Sequence, residues 1–517
     1  MQQGGLENLT KPDYHLFGHP KGLYVCFLTE MWERFSFYGM KFLLVLYLTK
    51  YHLFSDEQGF SILGSYTAMV YAMPVIGGLL ADRYLGMRKA VLFGGTLLVF
   101  GHFGMAWEGH AASVVNGQIM QDQQALQVFY FSLALIIMGV GFLKPNISTI
   151  VGRLYAENDP RRDSGFTIFY MGINIGAFLA TIFCVWLGET YGWKYGFGLA
   201  GIGMIVGLMT FMRGQKHLHG LAEPTNPERL REPLIGKLSR EMVIYFGAIA
   251  GLFVVWQMVQ VHQVVHGALA VTSIAVLAGL LFFLFVHCDK VARERMLVLI
   301  VLTMSTVVFW ALFEQSSGSM TLYADRVVDR QLFGFEVTAG QFGALNPLFI
   351  FLLAPIFAWL WTFLNKKGLE PSMPVKFALG IVQAGLGFVA LVVGASMPDQ
   401  AGKVAMIWLV LAYLLHTTGE LCLSPVGLSA VTKLSVSSVV GVMMGAWFLA
   451  SAYAGYVAAW IGKFTAIKQA PGAEVAVSEA LTAYSDLYGT LFYVALAVGV
   501  LLLLISPILK RGMHGVR

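Results

Sequence analysis

Apolar residues run through the chain in blocks of about twenty, each followed by a short polar stretch, and this rhythm repeats from one end to the other. A helix of about twenty residues crosses the roughly 30 Å of hydrocarbon in a bilayer. Membrane β-strands would instead alternate over about ten residues, a weaker pattern than the one seen. The blocks predict fourteen helical spans, at 22–49, 58–81, 89–107, 125–150, 165–187, 195–212, 242–261, 268–287, 296–315, 339–363, 374–396, 404–424, 438–461 and 487–509. The longest charged stretch between spans follows the sixth. The expected organisation is therefore an N-terminal six-helix bundle over 1–212, a cytoplasmic linker over 213–241, two inserted transmembrane helices over 242–287 and a C-terminal six-helix bundle over 288–517. Two halves of six match the internal repeats of many secondary transporters. Prolines reinforce the match, with Pro74 before Gly77-Gly78 in the second span and Pro347 and Pro355 in its counterpart. The general frequency of proline in membrane helices is the alternative explanation.

Composition sharpens the reading. Hydrophobic residues make up 57% and charged residues 12% of 517, with mean hydropathy +0.69. Soluble domains carry about 25% charged residues, so this chain predicts an integral membrane protein in a lipid bilayer. The net charge of +5 sits in short loops with no continuous basic face, which argues against nucleic acid. With both termini in the cytoplasm, twenty-four Lys and Arg fall on the cytoplasmic side, Lys11 and Arg517 among them. Seven, including Lys468, fall on the other side. The positive-inside rule fixes that orientation. Cys26, Cys184, Cys288 and Cys422 are too scattered for a metal site or a disulfide framework. The polar first twenty residues lack a signal-peptide apolar core, so the first span is expected to direct insertion uncleaved.

Seven ionisable residues fall inside spans: Glu30, Glu33, Arg34, Lys41, Lys144, Glu314 and Glu420. Charges at bilayer depth are costly and mark function. Leaving out the inserted pair, they occupy the first, fourth, seventh and tenth spans, the lead helix of each three-helix repeat. Glu30, Glu33, Arg34, Tyr38 and Lys41 form one stripe along a helix face. Four carboxylates against three cations leave one carboxylate in excess, able to take up a proton. A purely structural ion cluster is the alternative for Glu30, Glu33 and Arg34. Lys41 and Lys144 give the first half a positive wall, while Glu314 and Glu420 give the second a negative one. A zwitterion with separated termini suits that field. Interhelical locks without a ligand are the alternative for Lys144 and Glu420.

Three motifs then add a resemblance. Glu30-Met31-Trp32-Glu33-Arg34-Phe35-Ser36-Phe37-Tyr38-Gly39 resembles the E-x-x-E-R-F-x-Y-Y-G motif of the proton-dependent oligopeptide transporter family, with Phe37 in place of the first tyrosine. Gly77–Gly86 resembles its signature after the second helix, and Phe169–Gly176 its F-Y-x-x-I-N-x-G signature. The resemblance implies an all-α major-facilitator fold, two six-helix bundles plus two extra helices of the bacterial type. It implies a monomeric symporter of the bacterial inner membrane, driven by the proton gradient without a cofactor or metal. Di- and tripeptides would bind with their carboxylate on Lys41 and Lys144. Glu420, Asn174 and Asn346 would hold the peptide amine, and Tyr38, Tyr71 and Trp447 would line the pocket. Glu30, Glu33, Arg34 and Glu314 would carry proton coupling. The second span lacks the histidine that some relatives use there, which leaves coupling to carboxylates.

Other readings remain open at this stage. The same fold could carry an amino acid, nitrate or an organic anion, although Glu420 disfavours a simple anion. An embedded enzyme would want a nucleophile or a His-Asp constellation, and none stands out. His262 and His266 have metal-binding spacing but no acidic companion, so they are expected in a plain turn. Asp82 and Arg83 are a candidate latch, or simply topological charge.

Overall fold

The computed structural model describes residues 15–516 apart from 157–158, 225, 437–438 and 468–474. Lys11, Lys468 and Arg517 of the orientation count lie outside the described residues, as does much of the polar N-terminal stretch. Fourteen long helices follow one another: α1 Lys21–Leu46, α2 Asp56–Leu80, α3 Met87–Ala106, α4 Gln123–Arg153, α5 Arg162–Tyr191, α6 Trp193–Gly214, α7 Arg240–Gln260, α8 His262–His287, α9 Lys290–Phe313, α10 Leu345–Lys366, α11 Met373–Ala395, α12 Ile407–Leu434, α13 Val440–Gly462 and α14 Val477–Gly512. Among the described residues, thirteen of these helices are long and apolar enough to cross a membrane. The fourteenth is α1, whose charges Glu30, Glu33, Arg34 and Lys41 break its apolar window. Several helices outrun the predicted spans, because hydropathy marks only the stretch in hydrocarbon while the hydrogen-bond ladder continues into the polar zone. Side chains close exposed N-termini: Asp122 accepts from the Ala125 amide, Ser239 from Met242 and Asp289 from Ala292.

The chain forms two compact units. The first comprises Met1–Leu44, Met69–Ala112 and Met120–Val261; the second comprises Val45–Ala68, Ser113–Ile119 and His262–Arg517. In the first unit α3 packs against α4 and α6, and α5 against α6. In the second, α11 packs against α12 and α14, and α9 against α13. Small residues set the closest crossings. Pro145 has no N–H to offer the carbonyl four residues back, which is that of Gly141. That carbonyl faces Gly77 of α2, where a Cβ would stand 2.1 Å from the oxygen. The Gly77-Gly78 motif thus seats the proline-bearing turn of α4, one residue from Lys144. Gly176 does the same for α5 against α1, since a Cβ there would lie 2.1 Å from the Met31 carbonyl.

The two inserted helices are shared out between the units. Within the first unit α7 lies on α4, with Phe131 edge-on to Trp256 at 5.8 Å and Gln127 donating to Gln260 at 3.1 Å. Lys89 reaches both carboxylate oxygens of Glu241 at 2.6 Å. The linker is held on the same unit, where Arg88 pairs with Glu223 and donates to Gln215 at 2.9 Å, and Arg153 donates to the Leu221 carbonyl. Within the second unit α8 lies on α13, and His266 stacks on Tyr456 at 4.8 Å. His262 Nδ1 sits 3.1 Å from the Ser65 hydroxyl. Both histidines therefore belong to the first turns of α8, where the turn expected from their polarity gives way to helix.

Candidate functional site

In the first unit, α1 supplies the ion cluster. The Arg34 guanidinium pairs with Glu33 through Nε and lies 3.2 Å from Glu30. Glu30, Glu33 and Arg34 are each no more than 3% exposed, so the three charges leave water almost completely. One oxygen of each carboxylate and one guanidinium nitrogen have no hydrogen-bond partner there. Such a cluster is only partly satisfied and gains from a further proton or cation. Lys144 on α4 lies within electrostatic range of Glu30, Glu33, Arg34 and Lys41. Its Nζ sits 4.8 Å from the ring centre of Tyr71, which fixes the ammonium by a cation–π contact. Lys41 is buried one turn beyond Phe37, while Tyr38 stands edge-on to Phe37 and stacks with Phe42. Asn174 donates at 3.1 Å to the Tyr170 carbonyl of its own helix. Gly176, two residues on, makes the crossing that brings α5 against the ion cluster.

The second unit holds the complementary charge. Asn346, at the start of α10, donates at 2.8 Å to Glu420 and at 3.1 Å to Thr417, both on α12. Thr417 in turn donates to the Tyr413 carbonyl at 2.7 Å. The amide thereby orients one carboxylate oxygen of the buried Glu420. Glu314 ends α9 where the helix tightens into the 3₁₀ turn Glu314–Ser317, and the Ser317 hydroxyl lies 3.4 Å from its carboxylate. Glu314 borders a small cavity shared with Thr67, Gln315 and Gly455. Gln315 crosses to the Ala458 carbonyl of α13 at 2.8 Å. Trp447 packs its ring over Gly427, whose absent side chain leaves the room.

Three groups that sequence reasoning passed over are built into these units. Asp56 and Arg326 form a two-fold pair at 2.6 and 2.7 Å, with the Tyr484 hydroxyl 3.2 Å from the guanidinium. Lys50 and Asp325 pair nearby at 2.5 Å. His416, one turn before Glu420, is buried against Phe388 at 4.8 Å. A charged residue at each helix end was the only signal of the first pair, and that is equally the sign of a solvated loop. Asp82 comes within 3.9 Å of Arg153 and is more than half exposed, a weak contact for a latch. Among the described residues no three His, Cys, Asp or Glu side chains gather as a metal site.

Buried charges spread along lead helices call for comparison with known transporters. The family model described as the POT family matches residues 88–476. The chain belongs to the POT family. Members of the POT family are transporters rather than enzymes, and the fold is accordingly the major-facilitator one, with thirteen to fourteen helices able to cross a membrane. Among curated POT relatives, the uncharacterized transporter YclF of Bacillus subtilis is 38% identical over 516 residues, covering 98% of this chain and 97% of that one. The peptide transporter YePEPT of Yersinia enterocolitica is 37% identical over 464 residues, covering 86% and 88%. The crystal structure of a peptide transporter POT in complex with sulfate matches with TM-score 0.81 at 37% identity and covers 100% of both chains. A POT family transporter in complex with 5-aminolevulinic acid matches with TM-score 0.79 at 30% identity, covering 96% and 98%.

Proposed function

We propose that this POT family member is a proton-coupled symporter that imports di- and tripeptides across the bacterial inner membrane by alternating access, with both termini in the cytoplasm. The observation that carries the reading is the separation of charge. The buried Lys41 and the half-buried Lys144 stand on the first unit, and the oriented carboxylate of Glu420 stands on the second. A short peptide offers a carboxylate to the former and an ammonium to the latter, which is charge-assisted recognition at both ends. Likeness to the peptide transporter YePEPT supports the substrate class. Tyr38, Tyr71 and Trp447 would bound the peptide, and Asn346 would keep Glu420 aimed at its amine. Asn174 is bonded along its own helix and would have to release Tyr170 to reach a ligand.

Proton coupling falls to Glu30, Glu33, Arg34 and Glu314. Each buried charge left without a partner costs several kcal/mol. Peptide and proton bound together neutralise the set, and either alone leaves an unpaired charge buried, so loading with both is what lets the conformation change readily. No cofactor is required beyond the proton gradient. A monomer suffices, because every proposed group comes from one chain.

The test is uptake of radiolabelled dialanine into proteoliposomes under an inward proton gradient. Uptake is expected to collapse with an uncoupler and in Glu33→Gln, and to lose affinity in Glu420→Gln. Folded, reconstituted protein that neither takes up dialanine nor binds di- and tripeptides would refute the peptide reading. A small amino acid with widely spaced termini fits the same charge pattern, and a POT family transporter has been crystallised with 5-aminolevulinic acid. Competition by that compound at concentrations where dialanine competes poorly would favour this second reading.

A further inference from the structure

Glu314, which the proposed function places in proton coupling, stands at a break in a membrane helix. α9 runs from Lys290 to Phe313, tightens into the 3₁₀ turn Glu314–Ser317 and resumes as the short helix Ser319–Arg326. A 3₁₀ stretch inside a longer helix frees carbonyls from the ordinary ladder and often marks a functional hinge. Here the freed groups meet dedicated partners. The Ser316 carbonyl accepts from the Thr321 hydroxyl at 2.8 Å and from the Tyr413 hydroxyl of α12 at 3.3 Å. The Gln315 carbonyl accepts from the Gly318 amide at 3.1 Å. A break satisfied in this way is built into the fold and is not a frayed end.

The Gln315 side chain is the centre of that arrangement, and it is 1% exposed. Its Nε2 donates at 3.2 Å to the Ala311 carbonyl one turn back and at 2.8 Å to the Ala458 carbonyl of α13. Its Oε1 accepts from the Ser319 hydroxyl at 2.7 Å, and the Tyr488 hydroxyl of α14 lies 3.4 Å from the same Ser319 oxygen. One neutral amide thereby ties both arms of the break to each other and to α13. A carboxylate of the same shape would lack the donors, and a thioether of similar length offers only a weak acceptor. Glu314 is joined to Gln315 by a single planar peptide unit, so pinning the amide restricts where the neighbouring carboxylate can stand. Both residues border the small cavity that Thr67 and Gly455 share.

We propose that Gln315 is a positioning residue: its carboxamide fixes the 3₁₀ turn against α13 and Ser319, and so places the Glu314 carboxylate for proton coupling without taking part in peptide recognition. The inference rests on the reading that Glu314 carries proton coupling. Exchange of labelled for unlabelled peptide moves no net proton and does not require Glu314 to release one. Accumulation under an inward proton gradient does. A displaced Glu314 therefore separates the two activities, whereas a loosened fold lowers both together.

The experiment measures both activities with dialanine in proteoliposomes for the parent, Glu314→Gln, Gln315→Met and Ser319→Ala, each first shown to be monodisperse. Gln315→Met is expected to lower gradient-driven accumulation on the order of tenfold and Ser319→Ala about threefold, with exchange within about twofold of the parent in both. Ser319→Ala keeps both donor bonds of the amide, and it carries the test alone if Gln315→Met does not fold. Suppose Glu314→Gln loses accumulation and keeps exchange. Equal loss of both activities in the Gln315 and Ser319 variants, or full accumulation by them, would then overturn the inference and leave the proton reading standing. Accumulation by Glu314→Gln at the parent's level would instead overturn the proton reading at this residue, and the inference with it. A parent that neither accumulates nor exchanges dialanine would remove the peptide reading and the inference together.

Discussion

The pair between Asp56 and Arg326 offers the sharpest energetic test of the second unit. Asp56 opens α2 and Arg326 closes the short helix Ser319–Arg326. Their side chains are 7% and 14% exposed, and two parallel hydrogen bonds of 2.6 and 2.7 Å join them. Removing one member of a largely buried pair strands the other charge, at about 3–5 kcal/mol. Two lost charge-assisted hydrogen bonds at about 1.5–3 kcal/mol each lead to the same range. Asp56→Ala should fall at its lower end, because the Tyr484 hydroxyl still accepts from the guanidinium at 3.2 Å. Arg326→Ala leaves a carboxylate with no such second partner, and should cost more. The double variant strands nothing and should lose less than the sum of the two. Thermal unfolding in detergent at one scan rate reads the cycle, with single-variant shifts on the order of 5–10 °C. Exchanging the two residues should recover part of the loss. Single variants within about 2 °C of the parent, or a double variant that loses the full sum, would refute the claim that the pair acts as a buried unit.

Two further outcomes follow from geometry. Gly77→Val should sharply reduce folded, monodisperse protein on size-exclusion chromatography, because even its Cβ would meet the Gly141 carbonyl at 2.1 Å; normal yield would mean that the crossing of α2 and α4 is slack. Asp159, in the loop after α4, is bound by Arg161 and held down to about 2 from its usual 3.8. A carboxylate with a depressed folded pKa contributes stability fully above its unfolded value and loses it as pH falls through the folded one. The midpoint of Asp159→Asn should therefore lie below the parent's at neutral pH by a constant margin that begins to close only below about pH 4. A margin that changes between pH 8 and 5 would assign the effect to another group.

The sequence announces the helices because each must bury its backbone in hydrocarbon, and a block of twenty apolar residues has few other uses. Even α1 is legible, although four charges spoil its hydropathy, since they keep to one face. Ends are less legible. His262 and His266 look like turn residues, yet they begin α8, because their partners Ser65 and Tyr456 lie some 190 residues away in sequence. Pairings across such separations leave no trace in spacing. Nothing at positions 56 and 326 distinguishes a buried bidentate pair from two loop charges, and nothing at 346 and 420 says that an amide will meet a carboxylate. Glycines carry more information than their number suggests. Gly77 and Gly176 lie in recognisable motifs, and the structure supplies the physical reason, a foreign carbonyl where a side chain would be.

The division of the inserted helices changes what kind of object that insertion is. In sequence it is one contiguous block, but α7 is tied to the first unit through Glu241, Trp256 and Gln260, and α8 to the second through His262 and His266. Excising the block would not restore a simpler ancestor. It would strip a fitted cladding from both units, uncovering Lys89 and Phe131 on one and Tyr456 on the other. The natural seam is instead the junction at Val261, after which the chain never returns to the first unit. A passenger sequence spliced in there would lengthen a turn and leave every helix with the neighbours it already has.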